Sequence, residues 1–237
     1  MNFSFFQPTF LQTMAFCAIL VIVFANLFRI ANTILPKGKL FLLLGVFMLW
    51  LGIHGAVAWS GVLEKQTMPP PLVIYLALTL GVGIVFSISK WGELSAQKTP
   101  LLKLVMLQVF RLPLEMVLAS LASNGNLPYE MTFYGFNFDI ATGAIALLIV
   151  LLSKFKTLPL IVFWIWNSMG FVLLMVIGVV APLSSPIPIR VFESGPPLVL
   201  AMFLPWTWII SVCVFVALVG HLVIYRKLWS DRKEERL

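Results

Sequence analysis

The sequence predicts an all-α, polytopic membrane bundle of seven transmembrane helices, with the N-terminus outside and the C-terminus cytoplasmic. Three observations carry that prediction. Hydrophobic residues are 61% and charged residues 11% of 237, well outside the usual shares of soluble domains. The segments between turn signals are about twenty residues long, the length that crosses a ~30 Å hydrocarbon core at 1.5 Å per residue. The basic residues collect in alternate loops, as the positive-inside rule requires. Little sequence is left for a separate soluble unit, so residues 1–237 read as a single transmembrane helical domain.

The first span is Leu11–Ile34. The residues before it, Met1 to Phe10, carry no Lys or Arg; lacking the positive n-region of a signal peptide, this helix is expected to be retained. Pro36, Lys37 and Gly38 break the chain before Leu40–Leu63, and the Pro69–Pro71 run precedes Leu72–Lys90. Thr99 and Pro100 introduce Leu101–Asn124, since a residue before proline disfavours helix. Asn137–Ser153 is the shortest span, followed by Leu158–Ala181 and a proline-rich stretch from Pro182 to Pro197. Leu198–Tyr225 closes the bundle, with Pro205 expected to bend its outer part. The tail from Tyr225 to Arg236 is basic and partly acidic and reads as a stop signal in contact with lipid headgroups.

Alternate loops divide the charges unequally. Thirteen basic residues, among them Arg29, Lys39, Lys90, Lys103, Lys154 and Arg226, share one side with Glu93, Asp231, Glu234 and Glu235. The other side holds Lys65 and Arg190 against Glu64, Glu130, Asp139 and Glu193. The net charge of +7 is therefore topological, and no nucleic-acid partner is expected. Cys17 and Cys213 fall within spans, and there is no C-x-x-C or Cys/His cluster, so neither a disulfide framework nor a metal site is predicted. No cofactor is implied. The seventh span lacks an interior lysine for a retinal Schiff base. His54 and His221 are placed in the outer half and near the inner end of their helices, too far apart in depth to share a metal or a haem.

Function is sought where charge sits in apolar sequence. Arg111 and Glu115 lie one helical turn apart near the middle of the fourth span, where a charge costs about 2.5–3.5 kcal/mol on insertion scales and usually faces a cavity or the bundle interior. Gln108, Arg111, Glu115, Ala119 and Ala122 share a helix face, and Pro113 between the charges frees a backbone carbonyl. The functional reading is an anion- or proton-handling pair in a cavity, with Arg111 holding an anionic group and Glu115 exchanging a proton. The structural reading is a self-neutralising ion pair. His54 is a candidate proton partner of Glu115, or a histidine satisfied between helices.

The outer loop from Asn126 to Asp139 is dense in aromatics: Tyr129, Phe133, Tyr134, Phe136 and Phe138, with Glu130 and Asp139 among them. It reads as a lid over an apolar ligand or as an interfacial aromatic belt. In the second reading Asn137 is an N-cap and Asp139 a first-turn carboxylate. Asn167, with Ser168 and Gly170, suits either a polar site or close helix packing. Arg190 and Glu193, in the proline-rich loop, belong to a second cover or to an exposed linker.

The segment Arg111-Leu-Pro-Leu-Glu115, the run Met131 to Ile140 (MTFYGFNFDI) and Trp166-Asn167 resemble a family of bacterial multi-pass membrane proteins. The resemblance implies a multi-span fold over most of the chain and a bacterial inner (plasma) membrane location, and brings no activity with it. Three functions stay open: binding or transport of a small anionic or amphipathic molecule in an outward-opening or mid-membrane cavity, an embedded enzyme acting on a lipid-like substrate, and a non-catalytic subunit of a larger complex. Besides the bilayer, the partners these imply are a small-molecule ligand, another membrane protein, or a further copy of the chain.

Overall fold

The computed structural model describes residues 7–193 and 195–234 as an all-α, membrane-spanning bundle. Residues 1–6 and the end of the basic tail, 235–237, lie outside the described residues. The helices are α1 (Phe10–Ile34), α2 (Leu40–Trp59), α3 (Pro71–Ile88), α4 (Lys90–Lys98), α5 (Leu101–Leu107), α6 (Arg111–Ser123), α7 (Asp139–Leu152), α8 (Leu160–Ser184) and α9 (Phe215–Glu234). α5 and α6 together form one span, and a wide π-helical turn, Ile209–Val214, leads into α9.

Six helices among the described residues are long and apolar enough to cross a membrane, where the sequence predicts seven. The exception is α7, with 14 residues and so about 21 Å of rise. Its shortness has a structural reason. α7 begins beside Glu115, to which the Asn137 side chain donates at 2.8 Å, about 12 Å of helix rise below the end of α6 at Ser123. The chain 124–138 therefore descends into the bundle before α7 starts. Irregular backbone at that depth is tolerated only when protein or a cavity surrounds it, and Asn126, Leu127, Met131, Thr132 and Asn137 are all buried.

The reversal that sends the chain downward is set at the end of α6. Gly125, at φ 71°, donates to Ala122 O, and Asn126 N donates to Leu121 O. This paired pattern ends a helix through a left-handed residue, which favours glycine.

Both ends of the bundle are tied by polar contacts. At one end Thr9 and Gln12 form a reciprocal cap on α1, and Gln12 Nε2 donates to Ser120 O and Oγ of α6 at 3.0 Å. At the other, Arg226 of α9 donates to Ser87 O and Ser89 O, and Lys227 to Ala96 O. We call these the loop end and the basic end. α4 lies at the basic end, where the sequence reading has only a loop. Ser89 caps it, with Glu93 in its first turn and Lys98 in its last, the arrangement that a helix dipole favours. Nine residues, five of them polar or charged, carry no span signal, which hides this helix from a hydropathy reading.

α9 packs against α3, α4, α5 and α8, and α6 against α1 and α7. α2 is the most lipid-exposed span. Two indoles join it to the π-helical segment: Trp50 Nε1 donates to Ser211 O at 2.8 Å and Trp208 Nε1 to Leu51 O at 3.3 Å. Pro205 precedes the last span rather than bending it, because regular helix begins only at Ile209. The proline-rich chain folds back over the end of α8, with Val191 N and Phe192 N donating to Leu183 O and Leu198 N to Ser184 O.

Candidate functional site

The site begins with a local break in the fourth span. Pro113 has no N–H for Val109 O and its ring crowds that carbonyl; the turn ahead of it, Gln108–Phe110, is tightened to 3-10 geometry. Arg111 and Glu115 follow this break, each only 2% exposed. They do not form the direct ion pair expected from their spacing. The carboxylate nearest the guanidinium is Asp139, whose Oδ2 lies 3.3 Å from Arg111 Nη2. Asp139 is thus the first-turn residue of α7 and a charge partner of Arg111 at once.

The other arm of the guanidinium reaches His221 of α9, with Nη1 and Nε2 3.0 Å apart. Arginine only donates, so Nε2 must be an acceptor and the proton of a neutral imidazole sits on Nδ1. Asn167 agrees with that tautomer: its Oδ1 lies 2.8 Å from His221 Nδ1, while its Nδ2 donates to His221 O at 3.2 Å. Gly170 makes room for the ring, since a Cβ there would lie 2.7 Å from His221 Cε1. Gln108, fully buried, donates to Ala217 O at 3.3 Å.

Glu115 is held differently. Its Oε1 accepts from Asn137 Nδ2, which also donates to Met131 O at 3.1 Å. Asn137 Oδ1 accepts from Asp139 N at 3.3 Å, so Asn137 fixes the start of α7 and one oxygen of Glu115 together. Three polar atoms at this centre are buried without a hydrogen-bond partner in the protein: Glu115 Oε2, Asp139 Oδ1 and Arg111 Nη2. The contact of Nη2 with Asp139 is one of charge rather than of hydrogen-bond alignment.

Arg111, Glu115, Asn137 and Asp139 all line a cavity of about 90 Å³. That is room for several water-sized molecules, each of which needs roughly 10–15 Å³ by this measure. The rest of its wall is almost wholly aliphatic. Leu72 and Leu76 come from α3, Leu174, Ile177 and Gly178 from α8, Ile210 and Cys213 from the π-helical turn, and Leu198 and Leu200 from the folded-back loop. The cavity is apolar apart from this cluster and Ser185.

Other sequence candidates fall elsewhere. His54 is not a partner of Glu115; it shares a 2.7 Å hydrogen bond with Tyr75 of α3 and packs on Trp50. Arg190 is spent on its own loop, donating to Phe192 O and Gly195 O at 2.8 and 2.7 Å. Glu130 is absent from the cavity wall, and its carbonyl accepts from Phe136 N. The loop does cover the cavity, but through Leu127 and Met131. Tyr129, Tyr134, Phe136 and Phe138 are exposed, as an aromatic belt at a membrane interface requires.

His221, Asn137 and Cys213 are the site residues that the sequence reading leaves out or gives another role. For His221 a signal exists. It lies five residues before Arg226, and Arg111 eight after Lys103, or about 7.5 and 12 Å from the basic end. The difference is within the reach of an arginine side chain.

These features define a helical membrane bundle with a buried, partly unsatisfied polar centre in the wall of an apolar cavity. Residues 69–229 match the profile of a family described as a domain of unknown function (DUF8737), and the chain belongs to that family. The matched segment contains Arg111, Glu115, Asn137, Asp139, Asn167 and His221, whereas His54 precedes it. No curated protein matches the chain, and no solved structure does.

Proposed function

We propose that the protein binds a small amphipathic molecule, with its polar head at Arg111, Glu115, Asn137 and Asp139 and its apolar part along the aliphatic wall. One observation carries this reading: polar atoms of three charged side chains, buried and without partners, border a cavity whose wall is otherwise mostly apolar. A structural ion-pair network would gain by closing on itself, because an unpaired buried polar atom costs about 1–3 kcal/mol. Pockets that combine an apolar wall with a few convergent polar groups are characteristic of small-molecule sites. The re-entrant chain 124–138 belongs to the same reading, since it brings Asn137 and Asp139 to mid-bundle depth. By the positive-inside rule the loop end, where this chain enters, faces outward across a bacterial inner membrane.

The test is to fill the cavity. Gly178 lines it, and a Cβ at that position meets nothing within 4 Å, so Gly178→Leu occupies space without forcing the helix apart. Wild type and variant are purified in nanodiscs, and bound amphiphile is counted by native mass spectrometry. The expected result is one molecule per wild-type chain and at least tenfold lower occupancy in Gly178→Leu at unchanged Tm. Equal occupancy in both removes the proposal.

A further inference from the structure

We infer that the head group this cavity selects is a protonated amine, so that the ligand is a cationic amphiphile rather than a fatty acid or a phosphate ester. The inference rests on the binding reading above and goes on to fix the sign of the ligand. It follows from which atoms are already committed. Arg111 Nη1 is engaged with His221, whose tautomer Asn167 holds, and Nη2, though without a hydrogen-bond partner, already lies 3.3 Å from the Asp139 carboxylate. An anion approaching the guanidinium would do so beside the Asp139 carboxylate and against its charge. The Gln108 amide is turned toward Ala217 O.

What remains is mostly acceptor. Glu115 Oε2 and Asp139 Oδ1 are both buried and unpartnered, and an ionised carboxylate accepts hydrogen bonds without donating any. The charges point the same way. Among the described residues of the cavity wall Arg111 is the one cation, set against two carboxyl groups. His221 adds no positive charge, because its Nε2 accepts from the guanidinium. A bound ammonium allows both carboxyls to ionise together, since with both ionised Arg111 leaves the centre one net negative charge. An ammonium head brings it to zero and supplies N–H donors for both free oxygens. A carboxylate or phosphate head would add further like charge where little water screens it.

Cys213 gives a reporter, since it lies in the cavity wall while Cys17 is in α1. In a Cys17→Ala background in nanodiscs, the rate of Cys213 modification by methyl methanethiosulfonate is measured with decylamine, decanol, decanoate or decyl phosphate. These probes share a chain and differ in head group. Decylamine is expected to slow modification at least fivefold and to raise Tm, with the two anions leaving both unchanged and decanol having a weaker effect. Glu115→Gln, which keeps an oxygen for Asn137, is expected to raise the half-protective decylamine concentration about tenfold. Asp139→Asn provides a second variant with the same expectation.

Protection by decanoate or decyl phosphate that equals or exceeds that by decylamine overturns the inference and leaves the binding site standing. So does equal protection by decanol, or a Glu115→Gln variant that responds to decylamine like its parent. If none of the four probes protects Cys213 or shifts Tm, the inference fails, and occupancy in the Gly178→Leu experiment then shows whether the binding reading fails with it.

Discussion

The molecule buries two histidines in polar contacts, and the two contacts differ in kind. His54 and Tyr75 share a hydrogen bond, with Trp50 packed on the imidazole and the Ser211 side chain beside the tyrosine hydroxyl. His221 belongs to a connected set in which Asn167, Arg111, Asp139, Asn137 and Glu115 follow one another through hydrogen bonds and charge contacts. The first arrangement joins α2 to α3 and borders no part of the cavity. The second joins α6, α7, α8 and α9, and three of its atoms have no partner. A polar couple that only packs helices can be complete in itself. The second, with hydrogen-bonding capacity in reserve, is the one the binding proposal rests on.

Removing the cation should break the second region most severely. Arg111→Met leaves Asp139 and Glu115 as uncompensated buried carboxyls, and deleting one partner of a buried ionic set typically costs about 3–5 kcal/mol. The expected outcome is a large drop in thermal stability and in folded yield, measured by size-exclusion chromatography after heating. A wild-type-like melt for Arg111→Met would dissolve the contrast between the regions. His221→Phe is next. It orphans Arg111 Nη1 and Asn167 Oδ1 while keeping a ring beside Gly170, at about 1–3 kcal/mol for each unpaired group. Combining it with Asn167→Leu should cost less than the sum of the single changes, because the two residues satisfy each other.

The middle of the scale sharpens the comparison by testing the descent of the chain into the bundle. Asn137→Ala removes the donor to Glu115 and to Met131 O and should loosen the segment 124–138. Proteolysis from the loop end is expected to speed up there while the helices stay protected. Gly125→Ala acts on the same segment through its positive φ, with an expected cost of about 1–2 kcal/mol.

How far the sequence reveals this arrangement depends on the kind of signal. Arg111 and Glu115 stand out because charge in an apolar run is improbable unless it is used. The helices stand out for the same reason in reverse, since twenty apolar residues have few alternatives. Pairing is harder to read. That Arg111 meets Asp139 depends on a chain that dips about 12 Å before it turns helical, and a hydropathy pattern registers only a short span. His221 is legible through its depth relative to Arg226, but a residue count says nothing about which helix it faces. His54 gives no hint of Tyr75 at all. Two helices packed side by side offer several faces, and the choice between them comes from the assembled bundle rather than from either segment.

The smallest expected effect lies in the first region and is the most direct test of its self-sufficiency. Tyr75→Phe removes the hydroxyl and leaves His54 Nδ1 without that partner, an effect of about 1 kcal/mol when the ring remains in place. His54→Phe leaves the tyrosine hydroxyl with Ser211 as its neighbour and should cost a similar amount or less. The double variant removes both halves of that bond and leaves only the Ser211 hydroxyl beside the pair. If the couple only packs α2 against α3, the double change should lie close to the less harmful single one, and ligand occupancy should equal that of wild type. If occupancy falls in the double variant while its Tm holds, His54 and Tyr75 act on the cavity from outside its wall, and the division between a closed and an open polar region has to be abandoned.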